Sequence, residues 1–187
     1  MTNSSVSPKW QLLTPGQAKN SPGAIAHHTA CVYANSAYIL GGLRSNGSST
    51  TEMYKYDILA NKWEIARQQV CIQGQRDDHT CNIFNDTMVL FGGYKNGVRA
   101  NDILTFRFET GKWTDNQPQG PKPSPRSGHS AVIHQNNLVV CGGIADSNVR
   151  LNDVWLYDIP QNQWVKLYTT GDEFKARNGH TAIMLHD

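Results

Sequence analysis

The sequence predicts an all-β protein built from a unit that recurs every 50 or 51 residues. One observation is a set of histidines at this spacing: His28, His79, His129 and His180. A second is a glycine pair at a constant distance after each of the first three histidines: Gly41-Gly42, Gly92-Gly93 and Gly142-Gly143. A third is the tryptophan that closes each unit: Trp63, Trp113 and Trp164. Offsets that hold through three consecutive units indicate a repeat architecture.

Each unit contains four short predicted strands. An apolar run such as "HTACVYA" follows the histidine, and a tight polar turn leads to a second run that ends on the glycine pair, such as "AYILGG". A longer polar loop precedes the third run, such as "DVWLYD", and a turn precedes the tryptophan strand, such as "QWVKL". Turn signals about every ten residues are typical of all-β proteins, and no stretch has a convincing 3.6-residue apolar period.

The apolar pattern also predicts how these sheets pack. The first two strands of each unit are apolar on both faces, which is expected when a sheet is covered on both sides. Four-stranded sheets stacked radially are covered in this way, as β-propeller blades. The glycine pair marks a place where a side chain would clash or φ must be positive. The tryptophan offers a large apolar surface for the gap between blades, so we expect Trp63, Trp113 and Trp164 to be buried between successive blades.

With these features the sequence resembles the kelch repeat. The resemblance rests on the glycine pair, the tryptophan and an aromatic residue seven positions before it, and it extends from about Trp10 to the end. These aromatic residues are Tyr56, Phe106 and Tyr157. The "R-x-G-H" opening and the "NDVWLYD" of the third unit match the kelch pattern as well.

The units depart from one another at three places. The first unit has Ile25 where the others have Arg76, Arg126 and Arg177. It also has Thr51-Glu52 in place of Asn101-Asp102 and Asn152-Asp153. The second unit has Arg107 where the others have Asp57 and Asp158. We expect these departures to weaken individual turns and to leave the fold intact.

The repeat also predicts the domain organisation. We expect a disordered segment at 1–7 and a partial kelch propeller at 8–187, with blades at about 28–66, 79–115 and 129–168 and the start of a fourth at 180–187. An N-terminal outer strand, "KWQLL" at 9–13, and a C-terminal inner strand, "HTAIMLHD", flank the three complete blades. The resemblance implies a closed ring of about five to seven blades, so we interpret the sequence as part of a longer protein. The alternative is that two chains join head to tail, a self-association through open propeller edges.

Composition argues against several classes of protein. A formal net charge of +2 gives no basic stripe for nucleic acid. No apolar run is long enough to span a membrane, and the N-terminus lacks the pattern of a signal peptide. The four cysteines, Cys31, Cys71, Cys81 and Cys141, form no CxxC pair, and we interpret them as reduced thiols of a cytoplasmic protein.

The sequence offers little support for catalysis. Each repeat histidine opens a different blade, which favours a local structural role over a shared metal site, and no HExxH, HxxxH or CxxC spacing is present. Glycine-rich phosphate-binding loops are absent as well, so we expect no cofactor. Some proteins that resemble kelch propellers are metal-dependent enzymes, and half of such an enzyme is the alternative to a non-enzymatic binding module.

The long loops carry the predicted binding face. Loops after the second and the fourth strand emerge on one side of each blade and hold ten cations against six anions, a larger surplus than the +2 of the whole chain. Arginine is suited to bidentate capture of carboxylates and phosphates. We therefore predict binding of a protein partner, with a preference for acidic or phosphorylated segments, through six loop residues: Arg44, Lys95, Arg99, Arg126, Arg150 and Arg177. The resemblance implies an adaptor, scaffold or substrate-receptor role.

Two alternatives to partner contact remain for these cations. Arg76, Arg126 and Arg177 recur at one repeat position, and their alternative is an ion pair with an aspartate of a neighbouring blade. Arg44, Arg99 and Arg150 lie in loops whose sequences differ between blades, and their alternative is a solvated surface charge.

Overall fold

Three four-stranded antiparallel sheets, blades 1 to 3, form a computed structural model that describes residues 19–66, 68, 74–172 and 174–185. Blade 1 consists of β1 (Thr29–Tyr33), β2 (Ser36–Leu40), β3 (Met53–Asp57) and β4 (Lys62–Ile65). Blade 2 consists of β5 (Thr80–Phe84), β6 (Thr87–Phe91), β7 (Ile103–Arg107) and β8 (Lys112–Asp115). Blade 3 consists of β9 (Ser130–His134), β10 (Asn137–Ile144), β11 (Arg150–Asp158) and β12 (Gln163–Leu167). The repeated sheets confirm the predicted all-β segment of a kelch propeller.

Short elements decorate the loops between these strands. Five two-residue strands lie outside the blades: Ile25–Ala26, Leu43–Arg44, Arg76–Asp77, Tyr94–Lys95 and Val98–Arg99. One 3-10 turn spans Asp146–Asn148. No helix within the described ranges has the length and apolar character needed to cross a membrane.

Two kinds of tight turn set the register within each blade. The first and second strands are joined by two residues, and the first of these has positive φ at Ala34, Asn85 and Gln135. Such turns match the twist of the strands that they join. The turn between the third and fourth strands is capped by a carboxylate in blades 1 and 3, where Oδ1 of Asp57 and of Asp158 accepts a backbone N–H. In blade 2 that position holds Arg107, and the turn is closed by a hydrogen bond from Gly111 N–H to the Arg107 carbonyl.

Apolar side chains fill the gaps between blades. Leu40 and Met53 of blade 1 pack with Met88, Leu90 and Trp113 of blade 2. A second cluster joins blade 2 to blade 3, and it contains Val89, Phe91, Ile103, Leu138, Val140, Trp155, Tyr157 and Trp164. The sheet of blade 2 is thus covered on both faces, as the two-sided apolar pattern predicted.

The tryptophans follow this arrangement with one exception. Trp113 and Trp164 are buried, and the Trp164 ring lies 4.9 Å from that of Phe91 in the preceding blade. Trp63 is only half-buried and packs at 5.0 Å on Tyr56 of its own blade. Its burial between blades was therefore overestimated, because each tryptophan packs toward the blade before its own, and blade 1 is the first that the structure describes.

The glycine pair lies between two successive repeat histidines. A Cβ at Gly92 would come within 2.9 Å of the His129 ring and of the Arg126 carbonyl in the next unit, and a Cβ at Gly93 would come within 2.7 Å of the His79 Cβ. Both glycines also have positive φ. Steric exclusion and backbone conformation together therefore account for the pair.

The opening of the fourth unit docks on blade 3 without forming a strand. Gly143 N–H donates to the Arg177 carbonyl at 2.9 Å, as Gly93 N–H does to the Arg126 carbonyl one blade earlier. Residues 181–185 are not in a strand, so the described part of the predicted C-terminal inner strand is not formed. The predicted disordered segment at 1–7 and the outer strand at 9–13 lie outside the described residues.

Candidate partner-binding face

The long loops of each blade meet on one side of the sheet. Leu43–Arg44, in the loop after β2, pairs with Ile25–Ala26, which precedes β1. Tyr94–Lys95 pairs in the same way with Arg76–Asp77 in blade 2, and a bridge joins Ile144 to Ser127 in blade 3. Because backbone hydrogen bonds hold the two loops together, the cations that they carry are displayed on one face, here called the long-loop face.

Arg126, one of the six predicted contact residues, forms a buried ion pair within its own blade. Arg126 is completely buried, and its two terminal nitrogens lie 2.6 and 2.9 Å from the carboxylate oxygens of Asp153. Nη1 also donates to the Gly142 carbonyl. Arg76 holds Asp102 in the same way. The aspartate belongs to the arginine's own blade and not to a neighbouring one, and Arg126 has no exposed surface to offer a partner, so we leave it out of the proposed contact set.

Arg44 and Lys95 reach the corresponding carboxylate from the other loop. The Lys95 ammonium lies 2.8 Å from Oδ2 of Asp102. In blade 1, where Ile25 replaces the buried arginine, Nη2 of Arg44 lies 3.3 Å from Oε2 of Glu52 and 3.1 Å from the Tyr54 hydroxyl. Arg44 and Lys95 are 38% and 32% exposed. Both cations are therefore largely neutralised within their own blade.

The electrostatics of blade 2 agree with this geometry. Burial raises the pKa of Asp102, but the hydrogen bonds and charges of Arg76 and Lys95 outweigh it, and the pKa of Asp102 lies below its ordinary value. Asp102 is thus held ionised between two cations. The sequence anticipated an aspartate partner for Arg76 in a neighbouring blade, whereas Asp102 precedes Ile103 of β7 in the same blade.

Arg99 bridges blade 2 to blade 3. Its guanidinium lies 4.9 Å above the Tyr94 ring, and its terminal nitrogens contact Oδ1 of Asp146 at 3.4 Å and Oδ1 of Asn148 at 3.5 Å. The Arg99 side chain is only 10% exposed, whereas that of Asp146 is 78% exposed. Arg99 therefore supports the next loop more than it faces solvent.

Arg150 and Arg177 are exposed and keep their terminal nitrogens available. Arg150 donates only through Nε, to Oδ1 of Asn178 at 3.0 Å, and Arg177 donates only through Nε, to the Lys175 carbonyl at 3.0 Å, among the residues that the structure describes. The Arg177 guanidinium also stacks 4.7 Å above the Phe174 ring. Each side chain is oriented by one anchor while the pair of terminal amino groups faces outward, which is the geometry for bidentate capture of an anion.

A continuous polar path links these arginines along the face. Arg99 contacts Asn148, Arg150 contacts Asn178, and Asn178 is next to Arg177 in sequence. We call Arg99, Arg150 and Arg177 the arginine strip. The two asparagines beside the strip were missed in the sequence. Asn148 lies in a loop that differs between blades, and Asn178 holds the variable position of the "R-x-G-H" opening.

The histidines and cysteines show structural roles. Nε2 of His79, of His129 and of His180 lies 2.9 Å from the Thr29, Thr80 and Ser130 hydroxyls of the preceding blade. Burial lowers the pKa of His79 and of His129 to about 3. Burial also raises the pKa of the Cys31 thiol to about 12 and raises the pKa of the Cys81 thiol. Cys71 lies outside the described residues. Over the described ranges, no group of three or more His, Cys, Asp or Glu side chains could hold a metal ion.

Comparison with known proteins agrees with the repeat architecture. A family model described as the KLHDC2/KLHL20/DRC7 Kelch-repeats domain matches residues 4–187. The chain is 29% identical over 181 residues to Kelch domain-containing protein 3 of Homo sapiens, a match that covers 87% of the chain and 45% of that protein. It is 26% identical over 190 residues to Tip elongation aberrant protein 3 of Schizosaccharomyces pombe (83% of the chain, 17% of that protein). It is 33% identical over 108 residues to Kelch domain-containing protein 2 of Bos taurus (57% and 26%). The matches thus span less than half of each of these three relatives.

Proposed function

Because the chain belongs to the kelch-repeat family, we propose that it is a non-catalytic cytoplasmic module that binds a protein partner through its long-loop face. Kelch-repeat domains are typically protein-interaction modules, and long loops on a rigid scaffold are where binding residues concentrate. The partner segment is acidic or phosphorylated, and the module serves as an adaptor, scaffold or substrate receptor. The alternative is that the protein partner is a second copy of this chain, bound through the open propeller edges.

The observation that carries this proposal is the exposed guanidinium group of Arg150, which pairs with no carboxylate within the described residues. Arg177 is exposed as well, but it holds the repeat position at which Arg76 and Arg126 pair with an acid of their own blade. Arg44 and Lys95 already neutralise acids of their own blades. The positive charge that a partner can use is therefore concentrated at the exposed end of the arginine strip.

Arg177 shares its repeat position with two buried structural arginines, so the test treats it separately from Arg150. A fluorescent hexaglutamate peptide and a phosphoserine-containing peptide of the same length serve as probes. We expect binding to weaken as salt rises, because exposed charges are screened over about 8–10 Å at physiological ionic strength. An exposed ion pair contributes about 0–1 kcal/mol, so each single change, Arg150→Glu or Arg177→Glu, should weaken binding by up to about fivefold. The double change should weaken it by more than either alone.

Lys62→Glu is the matched control for each single arginine variant. This lysine lies at a turn of the opposite face, and its reversal should leave peptide affinity unchanged at the same net charge. An affinity that ignores salt, or an arginine double variant that binds both peptides normally, would move the site away from the long-loop face.

A further inference from the structure

A cleft lies along the outer seam between blades 2 and 3, away from the arginine strip. It encloses about 310 Å³, near the lower limit of ligand sites, which is about 300 Å³. Three threonines of blade 2 line it: Thr87, Thr105 and Thr114. Arg107 stands at its turn end, and Phe84 and Ile159 supply an apolar wall. The cleft thus combines hydroxyl groups, one cation and an apolar surface.

Arg107 is the residue that breaks the repeat at this place. The carboxylates of Asp57 and Asp158 cap the equivalent turns of blades 1 and 3. Arginine has no acceptor and cannot make this cap. The Arg107 side chain is exposed, and within the described residues it forms no ion pair. Blade 2 therefore gives up a turn cap and gains an unpaired cation.

The equivalent seam between blades 1 and 2 has different chemistry. Lys55 and Glu64 stand there at the positions of Thr105 and Thr114, and their charged groups lie 3.8 Å apart. That cleft balances its own charge. The cleft between blades 2 and 3 has no carboxylate in its lining to balance Arg107.

We propose that the cleft between blades 2 and 3 is a second docking site, which binds a peptide segment that presents a carboxylate side chain beside an apolar one. The guanidinium of Arg107 pairs with the carboxylate, and the hydroxyls of Thr87 and Thr114 donate further hydrogen bonds. The Thr105 hydroxyl donates to Oδ1 of Asn116. Phe84 and Ile159 receive the neighbouring apolar side chain. This site lies on another part of the molecule from the arginine strip and does not depend on the function proposed above.

The experiment titrates the uniformly ¹⁵N-labelled 187-residue chain with the peptide acetyl-Leu-Glu-Leu-amide and follows amide chemical shifts. We expect the largest shifts at the backbone of Thr105 and Thr114 and at the Arg107 side-chain Nε–H. The matched peptide acetyl-Leu-Gln-Leu-amide should bind more weakly by up to about fivefold, because it lacks the charge of an exposed ion pair.

The decisive variant is Arg107→Asp, which restores the residue type that blades 1 and 3 carry at this turn. It should weaken binding of the glutamate peptide at least as much as the glutamine in the matched peptide does, while the melting temperature stays equal or rises because the turn regains its cap. The Arg150→Glu/Arg177→Glu variant should retain the shifts at Thr105 and Thr114, which separates this site from the arginine strip.

Three results would overturn the proposal. One is an Arg107→Asp variant that binds the glutamate peptide as tightly as the parent chain. Another is a set of shifts centred on Arg150 and Arg177. The third is a response of Thr105 and Thr114 to inorganic phosphate but not to the glutamate peptide, which would assign the cleft to an anion and not to a peptide.

Discussion

The repeat histidine connects two blades through one side chain. In the second, third and fourth units Nε2 lies 2.9 Å from a hydroxyl of the preceding blade, as in His129 with Thr80. The ring also lies where a side chain on the preceding glycine pair would have to go. A histidine that packs this tightly has no room for the hydration that an imidazolium needs, so it is neutral. The role of the histidine is therefore in blade-to-blade packing.

This neutrality predicts a loss of stability in mild acid. Burial lowers the folded-state pKa of His79 and His129 to about 3, so between that value and about 6.5 the unfolded chain binds more protons. Stability should therefore fall as the pH decreases through this window. From pH 7 to pH 5, each histidine should cost about 2 kcal/mol of the free energy of unfolding. Urea denaturation at the two pH values measures this change.

His129→Gln provides the control for the acid effect. It keeps a hydrogen-bonding side chain but cannot titrate, so its stability should fall less from pH 7 to pH 5 than that of the parent chain. Asp102 and Asp153 remain ionised above pH 5 because their pKa values are lowered, and they do not contribute in this window. An equal loss in the variant and the parent would assign the acid sensitivity to other groups.

At the scale of the element, each blade fixes the start of its third strand with an acid and a cation from a loop. Blade 3 uses Arg126 with Asp153, and blade 1 uses Arg44 with Glu52. In blade 2, Asp102 pairs with both a buried arginine, Arg76, and a partly exposed lysine, Lys95. The loops can therefore vary in sequence while the carboxylate position keeps a partner. The departures of blade 1 from the repeat are thus compensated within the same blade.

The two arrangements should differ in their contribution to stability. Asp153→Ala leaves Arg126 buried without a counter-charge, and such losses cost about 3–5 kcal/mol. Glu52→Ala removes a half-exposed acid from a half-exposed cation, which should cost at most about 1 kcal/mol. Chemical denaturation of both variants measures the difference. Similar losses in the two would show that burial does not set the strength of these pairs.

At the scale of the whole molecule, the spacing of the repeat was enough to predict the blades but not the fate of each cation. His28, Gly41 and Trp63 lie at fixed offsets because every blade packs against its neighbour in the same way. The contact residues are different, since burial depends on which carboxylate a loop brings close in space. Arg126 and Arg177 share one repeat position, yet one is buried and the other is exposed. The sequence anticipated an aspartate partner for Arg126 but did not identify it as Asp153 of the same blade.

Because each tryptophan packs toward the preceding blade, the three tryptophans are not equally buried. Trp113 and Trp164 each fill the gap toward the preceding blade, whereas Trp63 is half-buried on blade 1. Trp113→Ala and Trp164→Ala should each cost about 3–5 kcal/mol, as large aromatic truncations in cores do. Trp63→Ala should cost clearly less, because it leaves a smaller cavity. Urea denaturation of the three variants under one set of conditions gives the comparison. Equal losses in all three variants, or a loss below about 1 kcal/mol for Trp164→Ala, would show that tryptophan packing between successive blades does not stabilise the fold.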